Sequence, residues 1–144
     1  MSVQRVNPPA VHSPTGMISQ VVTTERERLV HLSGQVAWDA EGRPVGPGDH
    51  GAQAAQIVHN IEAALAAVGA TRDDIVKETL YVVDYSPALL PAIFGPLREG
   101  VTLAPASTLV AVPALFAPEY LLEVEVVAAP RAARTAPDPA AGDS

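Results

Sequence analysis

From residue 75 the chain alternates: in DDIVKETLYVVDY, Val76, Glu78, Leu80 and Val82 stand against Ile75, Lys77, Thr79 and Tyr81. A period of two sends successive side chains to opposite faces, so the pattern predicts a strand with both faces in use. LLEVEVVAA does the same, setting Leu122, Val124 and Val126 on one face and Glu123 and Glu125 on the other. Between these and the N-terminus the period changes. Ile57, Ile61, Leu65 and Val68 recur three or four apart and stop before Gly69, which predicts a helix. The run of turn formers AEGRPVGPGD precedes it, and Asp49 is placed to cap its first turn. A second helix is predicted from about Pro87 to Arg98. ERLVHLSGQVAWD reads as a bent strand or a strand pair, because a glycine inside a strand marks a bulge or the close approach of another backbone. LAPASTLVAV reads as a buried strand entered through a proline and opening on two hydroxyls, Ser107 and Thr108.

The resulting order, β-β-α-β-α-β-β, predicts an α+β fold in which strands pair antiparallel and both helices pack on one face of the sheet. The other face is left without cover. A second copy of the chain would supply it, so oligomerisation is expected. Residues 1–13, with their Pro-Pro pair, are expected as an extended arm. Residues 14–130 form the domain, and residues 131–144 read as a disordered tail because no large apolar residue anchors them.

Composition narrows the chemistry. The chain has 144 residues, no cysteine and a formal charge of −7, which removes thiolate metal sites, disulfides and cysteine nucleophiles. An acidic surface disfavours nucleic acid, whose binding draws on Lys and Arg at phosphates. No apolar run approaches the length of a membrane helix and the first residues lack a signal-peptide core, so a cytoplasmic protein without a membrane partner is expected. His12, His31, His50 and His59 show no metal-ligand spacing, and no metal is expected. Ser33 precedes a glycine but lacks the surroundings of a hydrolase nucleophile. Glu123 and Glu125 are the candidate acid-base groups, the plain alternative being a solvated strand face. Trp38, Tyr81 and Tyr120 read as packing residues.

Several stretches, in order and at compatible spacings, carry a resemblance: HLSGQV (31–36), AQAAQIVHNIEAALAAVGA (52–70), DDIVKETLYVVD (73–84), the Pro-Ala of APAST (104–108) and PEYLLEVEVVAA (118–129). Over roughly residues 14–130 the chain resembles the RidA/YjgF family. The resemblance implies a chorismate-mutase-like fold assembled as a homotrimer, with clefts between subunits. It also implies hydrolysis of reactive enamines or imines to a carbonyl compound and ammonia, with no cofactor. Glu123 matches a glutamate that positions or activates water, and Ser33 and Gly34 match groups lining the cleft. An arginine that follows Pro-Ala in the family pairs with a substrate carboxylate; here that position is Ser107. Where the family often has Gly-Pro-Tyr-Ser-Gln, this chain has GMISQ with Ile18 in place of the tyrosine, and Ala92 stands near a common asparagine.

These features lead to an expected enzyme of RidA type that acts on a small reactive intermediate other than a simple amino-acid imine. Glu123 is the expected catalytic residue. Ile18, Ser33, Gly34, Ser107, Thr108 and Tyr120 are the expected cleft residues. Two alternatives stay open: a tailoring enzyme that cyclises, dehydrates or decarboxylates an apolar intermediate in the same cleft, and a non-catalytic trimer that binds a metabolite or a protein.

Overall fold

The computed structural model describes residues 2–14 and 16–131, so the tail expected from 131 onward falls, but for Arg131, outside the described residues. Among the described residues seven strands and two α-helices follow in order, with short 3-10 turns at Arg72–Asp74 and Pro87–Leu89: β1 (Val3–Val6), β2 (Val21–Thr24), β3 (Val30–His31), β4 (Gln35–Val36), α1 (His50–Ala66), β5 (Ile75–Val83), α2 (Leu90–Arg98), β6 (Ala106–Val112) and β7 (Leu122–Ala128). The main sheet has the order β3-β7-β5-β6, with β4 also on β7. The strand expected around Ser33-Gly34 is therefore a split pair whose two halves both run antiparallel to β7.

The expectation of antiparallel pairing holds for β5 with β7 but not for β5 with β6, which are parallel. The reason is α2: a helix between two strands carries the chain back to the starting end, so the next strand runs the same way. Nor is the start of the chain only an arm. β1 pairs antiparallel with β2, and the Arg5 guanidinium bonds the carbonyls of Ala104, Asp73 and Ile75 at 3.0 to 3.3 Å, which fastens this two-stranded ribbon to the sheet.

Both helices cover one face of the main sheet. Ile57, Ile61 and Leu65 of α1 and Ile93, Phe94 and Leu97 of α2 bury against Leu80, Val82, Leu122, Val124 and Val126. Asp49 caps α1 by accepting the Ala52 N–H at 3.0 Å. The helix ends at Ala66, two residues sooner than the apolar spacing predicts, because Gly69 takes a φ of +74° and the Ala70 N–H returns to the Leu65 carbonyl. Val68 is consequently exposed. Gln53, wholly buried, donates to the carbonyls of Gly46 and Glu119 and accepts from the Leu121 N–H, tying α1 to the entry of β7.

The alternation in β5 carries one irregularity. A register shift between Ile75 and Lys77 turns Ile75 inward with Glu78, Leu80 and Val82, while Val76 is only half-buried. An extra residue in a strand reverses the facing of what precedes it, which is why strict alternation misplaces Ile75 and Val76.

Candidate active site

On the helix side of the sheet, beside the edge strand β6, a groove of about 580 Å³ opens between β6, α2 and the segment before β2. Met17, Ile18, Tyr85, Phe94, Ser107 and Leu109 are among its walls, and none of its lining side chains is charged. Its size and apolar lining with a few polar groups suit a small organic molecule. Ser19 holds the Met17–Ile18 wall in place: its hydroxyl donates to the Ala104 carbonyl at 2.6 Å and its N–H to the Pro105 carbonyl at 2.9 Å.

Behind that wall lies a buried ion pair. Glu78, 2% exposed, accepts Nη1 and Nη2 of Arg98 at 3.0 and 2.5 Å, a bidentate fork. The Ser107 hydroxyl donates to the same carboxylate at 2.6 Å, and Arg98 Nε donates to the Met17 carbonyl at 2.6 Å. The guanidinium also lies 5.0 Å from the centre of the Phe94 ring. Parallel register sets Glu78 directly beside Ser107 across β5 and β6. A buried carboxylate persists only when paired, and here three donor groups meet it.

Among the described residues no helix covers the opposite face of the sheet. There the Glu123 carboxylate lies against the backbone of Gly34 and accepts no hydrogen bond from another described residue. Tyr81, its cross-strand neighbour, donates its hydroxyl instead to Glu125 at 2.6 Å. That hydrogen bond, then burial and the charges of Glu125 and Glu123, push the tyrosine hydroxyl above its ordinary pKa. Lys77 Nζ donates to Thr108 Oγ1 at 2.7 Å on the same face.

The expected cleft residues thus divide into groups. Ile18 and Ser107 meet in the groove. Gly34 and Glu123 meet on the far face. Thr108 does not join Ser107, since adjacent residues of a strand point to opposite sides, and it faces Lys77. Ser33 is exposed in the gap between β3 and β4, where its carbonyl accepts Gln35 Nε2. Tyr120 is buried in an aromatic cluster, its ring centre 6.1 Å from Trp38 and 5.2 Å from Phe116, and takes no part in the groove. Asn60 also serves the fold, donating to the carbonyls of Val36 and Trp38. Near Ala92, where an asparagine was expected to be replaced, the side chain lies against Gly51 of α1.

Glu78 and Arg98 escaped the sequence reading as functional residues. The signal was present: Glu78 is a lone charge on the apolar face of an alternating strand, which demands a partner. The partner could not be named from sequence, because Arg98 lies 20 residues away on another element. Among the described residues there is no cluster of three or more His, Cys, Asp or Glu able to hold a metal, and no helix long and apolar enough to cross a membrane.

A split strand, two helices on one face and a groove at the edge strand define an α+β protein of the chorismate-mutase-like type. The chain belongs to the Rid/YjgF family, whose model, described as endoribonuclease L-PSP, matches residues 10–130. A Rid-family protein of unknown function from Yersinia pestis, YyfB, is 37% identical, with a TM-score of 0.83 over 90% of this chain and 99% of that one. A second Rid-family protein from Yersinia pestis, YyfA, is 28% identical with a TM-score of 0.62, over 89% of this chain and 99% of that one. The protein DfrA of Myxococcus xanthus is 31% identical over 87 residues, and a RutC family protein of Pyrococcus abyssi 32% identical over 71. Those alignments cover 57% and 49% of this chain, and 66% and 54% of the two relatives, less than two thirds of each.

Proposed function

We propose that the chain is a cofactor-independent enzyme that hydrolyses a small, uncharged enamine or imine, in a cleft where the groove of one copy meets the open sheet face of the next in a homotrimer. The observation that carries this reading is the groove itself: it is apolar, and its one hydroxyl of the β6 strand, Ser107, is turned to Glu78. Within the groove itself a substrate carboxylate would meet no charged lining side chain. Ser107 and Glu123 lie on opposite faces of one sheet, so a single chain cannot bring them to one substrate, whereas a neighbouring copy can. The unpaired edge of β6 and the exposed Val110 on it favour such a neighbour.

Glu123 is the acid-base group, since its carboxylate lies against Gly34 and no other described residue gives it a hydrogen bond. Water adds to the C=N carbon: a C–O bond forms, the π pair moves to nitrogen, and the proton that water loses passes through Glu123 to that nitrogen. Glu123 then takes the carbinolamine's hydroxyl proton and delivers it to the amine nitrogen; the O–H pair becomes the C=O bond, the C–N pair leaves on nitrogen, and a carbonyl compound and ammonia are released. An enamine enters the same sequence after taking a proton at carbon and giving one up from nitrogen, which makes it the imine. A net charge of −7 favours a small organic substrate over RNA.

The test is ammonia release from freshly generated imines, half of them bearing a carboxylate and half uncharged. Turnover of the uncharged set is expected, together with a loss on the order of 10²- to 10⁴-fold in Glu123→Gln. Faster turnover of the carboxylate set would overturn the substrate class. Unchanged turnover in Glu123→Gln would remove the assigned chemistry, and a monomer in sedimentation at micromolar concentration would remove the shared cleft.

A further inference from the structure

We infer that Glu78 is the specificity-determining residue of the groove, holding the Arg98 guanidinium out of reach so that the groove accepts uncharged ligands and rejects carboxylates. The inference rests on the reading of the groove as the substrate pocket. Arg98 is not among the groove's lining residues, yet three residues that are, Met17, Phe94 and Ser107, each touch it or its partner. The guanidinium is therefore one side chain away from the ligand space.

Its engagement is specific. Nε is held by the Met17 carbonyl, and Nη1 and Nη2 each give a hydrogen bond to Glu78. The bidentate fork satisfies the carboxylate and cancels the charge in place, and Ser107 adds a third donor to Glu78 rather than offering its hydroxyl proton to the groove. Ionised partners in a low-dielectric setting act strongly on whatever lies nearby, so the sign of the net charge behind the wall decides which ligand the groove admits. With Glu78 present that net charge is zero. With Glu78 made neutral, the Arg98 guanidinium is left without its counter-charge. A carboxylate entering past Ser107 then becomes the best available partner.

The experiment compares two probes of one shape, butanoate and butanamide, titrated against the intact chain and followed by the amide shifts of Ser107, Leu109 and Ala111. The wild type is expected to prefer butanamide. Glu78→Gln is expected to shift the ratio toward butanoate by on the order of tenfold or more, the value of one charge-assisted contact. The double variant Glu78→Gln with Arg98→Gln, neutral again, is expected to return to butanamide. Arg98→Met alone leaves Glu78 unpaired and is expected to favour butylammonium over butanamide, which reads the same claim through the opposite charge should Glu78→Gln fail to fold. A folded Glu78→Gln with the wild-type ratio overturns the inference, as does a double variant that favours butanoate. Because the readout is binding and not ammonia release, a failed hydrolase assay and a failed charge switch are separate results.

Discussion

Gly34 and Glu123 are packed so closely that a Cβ on residue 34 would stand 2.8 Å from Cδ and 3.0 Å from Cγ of the glutamate. The glycine is not there for its backbone freedom, since its φ does not lie in the left-handed region. It is there for space, and the space is what lets the carboxylate lie back against the split strand. Gly34→Ala is thus expected to displace the Glu123 side chain while leaving β3 and β4 in register on β7. Turnover should fall by up to about 10²-fold, the scale of a misplacement near 1 Å, with KM changed less than kcat. Thermal unfolding beside steady-state kinetics checks this, because a loss of fold would lower both the transition temperature and all activity together.

Removing the guanidinium from the Glu78 pair should be costly. Arg98→Ala leaves a carboxylate that is 2% exposed with only the Ser107 hydroxyl, and a broken buried pair costs about 3 to 5 kcal/mol. Ser107→Ala removes one neutral-to-charged hydrogen bond and should cost about 1 to 3 kcal/mol. Urea unfolding of the two variants is expected to rank them in that order. Equal midpoints would show that the ion pair adds no more to the fold than the Ser107 hydrogen bond does.

Acid should weaken the turn that precedes β6. Burial alone would raise the Asp73 carboxyl, but hydrogen bonds from the Thr102 hydroxyl and N–H and the Leu103 N–H outweigh it and hold the group below its ordinary pKa. A carboxyl depressed in the folded state adds stability above its unfolded pKa, about 3.9, and loses it as pH falls through the folded value. The urea midpoint of the wild type is accordingly expected to drop below about pH 4 more steeply than that of Asp73→Asn.

The phenol of Tyr81 gives the opposite limb. Its hydrogen bond to Glu125 raises its pKa, so the protonated form stabilises the fold below the ordinary tyrosine value and that contribution disappears as pH rises through the folded one. Ultraviolet titration should show Tyr81 ionising later than a free phenol, as Tyr120 also does through its burial, and Glu125→Gln should bring back Tyr81 alone. Subunits that cover this face should delay it further.

Much of the scaffold is legible in the residue pattern because it rests on local physics. The alternation of Leu122, Val124 and Val126 against Glu123 and Glu125, the Asp49 cap and the apolar face of α1 follow from geometry over a few residues. The place of Gly34 beside Glu123 was half-visible, since a glycine inside a strand announces that something comes close, though not what. The resemblance pointed to Ile18 and Ser107, and they do share a groove, yet it also grouped Thr108 and Tyr120 with them. Alternation alone argues against Thr108, and a buried aromatic cluster takes Tyr120.

By itself, then, the sequence determined the elements from β3 to β7, the two faces of the final strand and the absence of a cation at position 107, since each depends on neighbours in the chain. Only the tertiary structure decided where positive charge went instead. The parallel return of β6 beside β5 puts Ser107 level with Glu78, and the last turn of α2 brings Arg98 over both. Contacts between elements 20 and 29 residues apart are set by how the sheet is threaded and covered, and a pattern that repeats every two or four residues carries no record of them.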